Sequence, residues 1–143
     1  MRILGIDYGN SKVGFAITDP LGITAQGLET FKHQGKDKVL LKKIDELMEQ
    51  YEISTIVLGM PYHMNGTESE RTKATEKFLH KLKCKYNQIK IETIDERLTT
   101  VAANKTMIFL EVNKHKKKQI EDTIAAVYIL ETYMNKQKNV NSV

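Results

Sequence analysis

Four acidic side chains stand where the hydrophobic pattern around them does not call for charge. Asp7 ends the apolar run Ile3 to Ile6, Asp95 and Glu96 end the alternating run Ile89 to Ile94, and Asp122 precedes the apolar stretch Ile124 to Leu130. In an α/β sheet the carboxyl ends of the strands gather along one edge, where ligands bind. Carboxylates delivered to that edge by two strands repel one another and resist desolvation, so without a cation one of them takes up a proton. A hard divalent ion removes that penalty and prefers oxygen ligands. Two Mg²⁺ or Mn²⁺ ions about 4 Å apart can activate a water, bind a scissile phosphate and stabilise the leaving oxygen. Phosphodiester hydrolysis is the reaction that fits these acids best.

Asp122 has two readings. Ala125 and Ala126 lie three and four residues on, on the same helical face, and small residues there would let the helix approach the sheet with its acid over the strand ends. The plainer reading is an acid complementing a helix N-terminus. Basic residues surround the acids in sequence: residues 71–118 hold thirteen Lys/Arg against five Asp/Glu, and the rest of the chain is net acidic. Such asymmetry suggests a positive region for a polyanion, or two helices with solvated lysines. Arg97 could clamp phosphate or pair with a neighbouring carboxylate. His63 lies in the loop Gly59 to Gly66 as a substrate contact, a proton shuttle or an exposed side chain. The four histidines lack zinc-ligand spacing, and no Ser-His-Asp grouping emerges.

The elements that must position these residues are legible from periodicity. Ile3 to Asp7, Lys12 to Thr18 and, more weakly, Ile23 to Phe31 read as strands joined by short turns, hence antiparallel. Leu40, Ile44, Leu47, Met48 and Tyr51 form a helical stripe. Thr55 to Leu58 is a short buried strand, and Thr67 with Glu70 has the spacing of a capping box for the next helix. Ile89 to Ile94 is another strand. Leu98 to about Phe109 reads as a helix, Lys114 to Lys118 as a charged, mobile connector, and Gln119 to about Asn135 as a last helix. The predicted order is βββαβαβαα: an α/β fold with a mixed five-stranded sheet, its first three strands antiparallel, and helices on both faces in a three-layer arrangement. The ribonuclease H-like architecture has this element order.

The chain has 143 residues, 41% hydrophobic and 28% charged, with a net charge of +4. That is one domain's worth, expected over 1–137 with a frayed tail at 138–143. The composition excludes disordered and fibrous classes. No apolar run approaches the roughly 18–20 residues of a membrane span. The opening residues lack a secretory pattern, and the single Cys84 cannot form an internal disulfide, so a cytoplasmic setting is expected.

Four blocks carry a resemblance to a known family. They are Gly5-Ile6-Asp7-Tyr8-Gly9 with Gly14 and Ala16; Gly59-Met60-Pro61 with Met64, Gly66 and Thr67; Asp95-Glu96-Arg97-Leu98-Thr99-Thr100; and Asp122 with Ala125-Ala126 and Ile129-Leu130. Together, in order, they resemble the YqgF family, bacterial proteins named both for pre-16S rRNA nuclease activity and for likeness to Holliday junction resolvases. The resemblance implies a ribonuclease H-like fold, a cytoplasmic location and a divalent-metal nuclease. Its acids map onto Asp7, the Asp95-Glu96 pair and Asp122 as catalytic and metal-binding residues. Neighbours along a strand face opposite sides, and Glu96, with its longer reach beyond the strand end, is the choice over Asp95. Expected substrate contacts are Lys12, His63, Asn65, Arg97, Lys116, Lys117 and Lys118. Ser11, where relatives often carry a basic residue, and His63, where they often carry asparagine, depart from the pattern beside the substrate path.

The resemblance points to processing of the 5′ end of precursor 16S rRNA, by a monomer or weak homodimer. The alternatives are a Holliday-junction-type DNA endonuclease and a non-catalytic RNA-binding assembly factor. Asp7-Tyr8-Gly9 with Gly14 also resembles the first phosphate turn of actin-like ATPases, but those proteins need a second domain for which this chain is too short.

Overall fold

Alternation of apolar and small residues over the first eighteen positions builds an antiparallel pair. The computed structural model of the protein describes residues 1–62, 69–96 and 114–141, with side chains of the last stretch described over 123–137. Strand β1 (Arg2–Tyr8) pairs with β2 (Lys12–Thr18), placing Leu4 opposite Ile17 and Asp7 opposite Gly14. The expected third strand is two short pieces, β3 (Ala25–Gly27) and β4 (Phe31–Lys32), both antiparallel to β2. Between them the chain leaves the ladder, and the Thr30 hydroxyl meets that of Thr123, 3.3 Å away on the last helix.

Helix α1 (Asp37–Gln50), strand β5 (Ile53–Met60), helix α2 (Glu70–Lys85), strand β6 (Lys90–Asp95) and helix α3 (Lys114–Asn141) follow. β5 lies parallel to β1, and β6 parallel to β5, giving the order β3-β2-β1-β5-β6 with β4 also on β2. The sheet is mixed, as expected, and has six strands among the described residues because the third is divided. The helix expected over Leu98 to Phe109 lies outside the described residues. Lys114 to Lys118, expected as a connector, is the first part of α3, which continues through Lys136 to Asn141. Like charges in a first turn are unfavourable, but lysine is a good helix former and extending an existing helix costs little.

Strand alternation separates two cores. Leu4, Ile6, Tyr8, Val13, Phe15, Ile56, Leu58 and Met60 pack with Leu40, Ile44 and Leu47 of α1 and with Phe78 and Leu82 of α2. The other face sets Ala16, Val57 and Ile94 against Ala126, Ile129, Leu130, Tyr133 and Met134 of α3. Small residues on that face let α3 come close. A Cβ at Gly5 would lie 3.1 Å from both the Ala126 carbonyl oxygen and Leu130 Cβ. Ile129 meets Gly59 near the carboxyl end of β5, and Tyr133 lies by Lys90 at the start of β6. The helix therefore runs against the parallel strands, its N-terminal part toward their carboxyl ends. Among the described residues no helix is long and apolar enough to cross a membrane.

Candidate active site

Asp7 occupies the α3 face of β1 because it alternates with Leu4, Ile6 and Tyr8, which all enter the opposite core. Glu96 follows β6 in the same phase as Ile94, which packs in the α3 core, so it arrives on Asp7's face. Asp95 belongs by alternation to the other face. Gly59 makes room for Glu96: a Cβ there would fall 2.8 Å from Glu96 Oε1, 3.0 Å from its Cγ, and against Ile129 Cδ1. Gly59→Ala should therefore cost about 1–3 kcal/mol by overpacking. It should also lower nuclease activity by displacing Glu96. Urea titration and a cleavage assay on the same sample check both effects.

A third group completes the cluster, and sequence reasoning did not find it. Arg71 Nη2 lies 3.3 Å from Asp7 Oδ1, 3.5 Å from the Tyr8 carbonyl oxygen and 3.7 Å from Glu96 Oε2. Its position follows from how α2 begins. Ser69, rather than the expected Thr67, caps the helix by accepting from the Thr72 amide at 3.1 Å. Thr72 Oγ1 donates to the Pro61 carbonyl oxygen at 2.5 Å, fixing the helix start to the end of β5. One residue into the helix, Arg71 then overhangs the sheet edge. The cue in the sequence was Ser69 with Thr72, three apart and directly before a helical stripe.

The two carboxyls are 12% and 16% exposed for Asp7 and Glu96, and the Arg71 side chain is 47% exposed. Burial, a hydrogen bond with Asp7 and the Asp7 charge push Glu96 up to about 9, against the pull of Arg71. At neutral pH Glu96 therefore keeps its proton and donates it to Asp7. All the acidic donors are hard oxygen atoms. Among the described residues no group of three His, Cys, Asp or Glu could hold a metal.

A second polar group, on the other face, stiffens the same strand end. Tyr8 Oη donates to Asp37 Oδ1 at 2.7 Å, and Lys81 Nζ donates to Asp37 Oδ2 at 2.8 Å, joining β1, α1 and α2. Burial raises Asp37, but the hydrogen bonds from Lys81 and Tyr8 outweigh it and hold the carboxyl below its usual range. The same environment, burial first and Asp37 second, pushes the Tyr8 phenol up.

Of the other expected site residues, Asp122 is helical in backbone, two turns before Ile129 and so about 10 Å from it along the helix axis, on its N-terminal side. Lys116, Lys117 and Lys118 lie further up the same helix, and the side chains of all four fall outside the described residues, as do His63, Asn65 and Arg97. Lys12 starts β2 just beyond the turn that follows Asp7.

The architecture recurs among known resolvases. Thermus thermophilus RuvC, solved in complex with a Holliday junction substrate, aligns with a TM-score of 0.57 at 14% identity, over 94% of this chain and 96% of that one. The fowlpox virus Holliday junction resolvase aligns with a TM-score of 0.57 at 18% identity, over 95% and 99%. The fold is thus the ribonuclease H-like fold of the RuvC-type enzymes. The family model described as RuvX: Holliday junction resolvase matches residues 1–136, and this chain belongs to that family of phosphodiester hydrolases. Similar relatives carry the name "Putative pre-16S rRNA nuclease". That of Acetivibrio thermocellus is 48% identical over 140 residues, covering 98% of this chain and 99% of its own. That of Clostridium acetobutylicum is 44% identical over 135 residues, covering 94% and 98%.

Proposed function

We propose that the protein is a divalent-metal-dependent nuclease that processes the 5′ end of precursor 16S rRNA in the cytoplasm. The observation that carries this reading is the convergence of Asp7, Glu96 and Arg71 at the carboxyl edge of the sheet. The donor set fits Mg²⁺ or Mn²⁺: two hard carboxylates, one of which ionises at neutral pH only when positive charge is added. Asp7 and Glu96 would hold the ions, with Asp122 joining from α3. When bound, a pair of such ions supplies activation of water and stabilisation of charge on the scissile phosphate.

The chain's own residues do the rest. Asp7 is fixed by its strand, and Glu96 gives up its proton to solvent as the site is loaded. Arg71, half exposed, offers its guanidinium to a substrate phosphate, for which its planar donors are suited. The names of the relatives favour RNA as substrate. The family description favours a second reading, a junction-cleaving DNA endonuclease.

One assay separates them: cleavage of a precursor 16S rRNA 5′ fragment beside a four-way DNA junction, with Mn²⁺ or EDTA. Mn²⁺-dependent cutting of the RNA alone is expected. Cutting of the junction alone would replace this reading with the resolvase. RNA binding without cutting would replace it with a non-catalytic assembly factor.

A further inference from the structure

Several lysines of the fold are held by acids: Lys43 by Glu46, Lys81 by Asp37, Lys85 by Asp45 and Lys90 by Glu92. Lys12 and Lys32 are set apart by their placement. They stand directly opposite each other on β2 and β4, and among the described residues neither has an acidic partner. The His33 amide donates to the Ser11 carbonyl oxygen at 2.9 Å. That bond flanks a non-hydrogen-bonded pair, the kind in which facing side chains come closest. Like charges so placed are destabilising.

The fold nevertheless builds this juxtaposition with care. β4 is only two residues long, and its continuation is pinned to the turn after β1 by a second amide bond, Gln34 N to Ser11 O at 3.1 Å. The His33 ring, 1% exposed, stacks beside Tyr8 and bonds through Nε2 to the Gly9 carbonyl oxygen at 2.7 Å. Alternation puts both lysines on Asp7's face of the sheet, since Val13 and the Phe31 opposite it pack in the other core. Gly14, opposite Asp7, leaves the space between acids and lysines without a side chain. Lys12 lies two residues along β2 from Gly14, about 7 Å from the row of Asp7.

We propose that Lys12 and Lys32 form a phosphate-binding subsite for the nucleic-acid strand, gripping backbone phosphate beside the one that faces Asp7 and Glu96. The subsite rests on the nuclease reading above and extends it to Lys32. A bound phosphate relieves the repulsion that the empty pair carries, so the charges are arranged for a ligand and not for stability.

The test is the salt dependence of binding to a short fluorescein-labelled single-stranded RNA, read by anisotropy in EDTA so that nothing is cleaved. A DNA strand of the same sequence is run in parallel. For each lysine neutralised, the slope of log affinity against log salt should fall by about 0.7. Lys32→Gln should show that fall, Lys12→Gln with Lys32→Gln about twice it, and Lys90→Gln, at the other end of the sheet, none. Lys32→Gln should also melt no lower than wild type, because it removes a repulsion. An unchanged slope in Lys32→Gln, with salt-dependent binding by wild type, would overturn the subsite and leave the nuclease reading standing. Failure of wild type to bind either strand would overturn the subsite, while the nuclease reading is decided separately by the Mn²⁺-dependent cleavage assay above.

Discussion

Asp7→Asn should abolish Mn²⁺-dependent cleavage, by about 10²–10⁴-fold or more, while leaving the fold and nucleic-acid affinity nearly intact. The substitution keeps size and shape but removes the negative charge that two cationic partners would share: the Arg71 guanidinium, 3.3 Å away, and any bound divalent ion. Asp7 sits on a strand whose other residues are locked into the core, so little else should move. Steady-state cleavage, circular dichroism and anisotropy on one preparation check the three parts. Activity equal to wild type would rule out the acids as the reacting centre.

Glu96→Gln should give the opposite sign on two readouts: a more stable metal-free protein and an inactive enzyme. The carboxyl, pushed up to about 9 in the fold by burial and by Asp7, has an ordinary value near 4.5 when unfolded. Its contribution to stability is therefore complete below about pH 4.5 and is lost progressively as pH rises toward 9. Glutamine mimics the protonated form at every pH. The variant should match wild type near pH 5 and exceed it at pH 7.5 by about 1–3 kcal/mol, roughly 3–10 °C in Tm. Mn²⁺ should raise the Tm of wild type by mass action and leave that of the variant almost unchanged. A Tm difference that does not grow with pH would mean that Glu96 is ionised in the empty site.

Much of this arrangement could be read from the residues. An apolar run marked β1, and alternation marked β2 and β6. Alternation also said that only one of Asp95 and Glu96 would share a face with Asp7, and side-chain reach, not alternation, pointed to Glu96. The apolar stripe Leu40, Ile44, Leu47 marked α1 without ambiguity. What escaped was set by contacts distant in sequence. Arg71 is one of many cations in a basic region, and its role depends on Thr72 reaching Pro61 and on the register between β5 and β6. The pairing of Lys12 with Lys32 depends on a break in the third strand that no local pattern announces. The run Lys114 to Lys118, expected as a connector, opens α3, since lysine favours helix and extending a formed helix costs little.

The bond from Thr72 to Pro61 has a consequence for how such an enzyme can diversify. It fastens together the two points between which residues 63–68 must run, so the chemistry at the sheet edge does not rely on the length or composition of what lies between. Lengthening a segment whose ends are already fastened costs about 0.6 kcal/mol for each doubling. His63 and Asn65 belong to that segment. Insertion or exchange between those points is therefore expected to leave Asp7, Glu96 and Arg71 in their geometry.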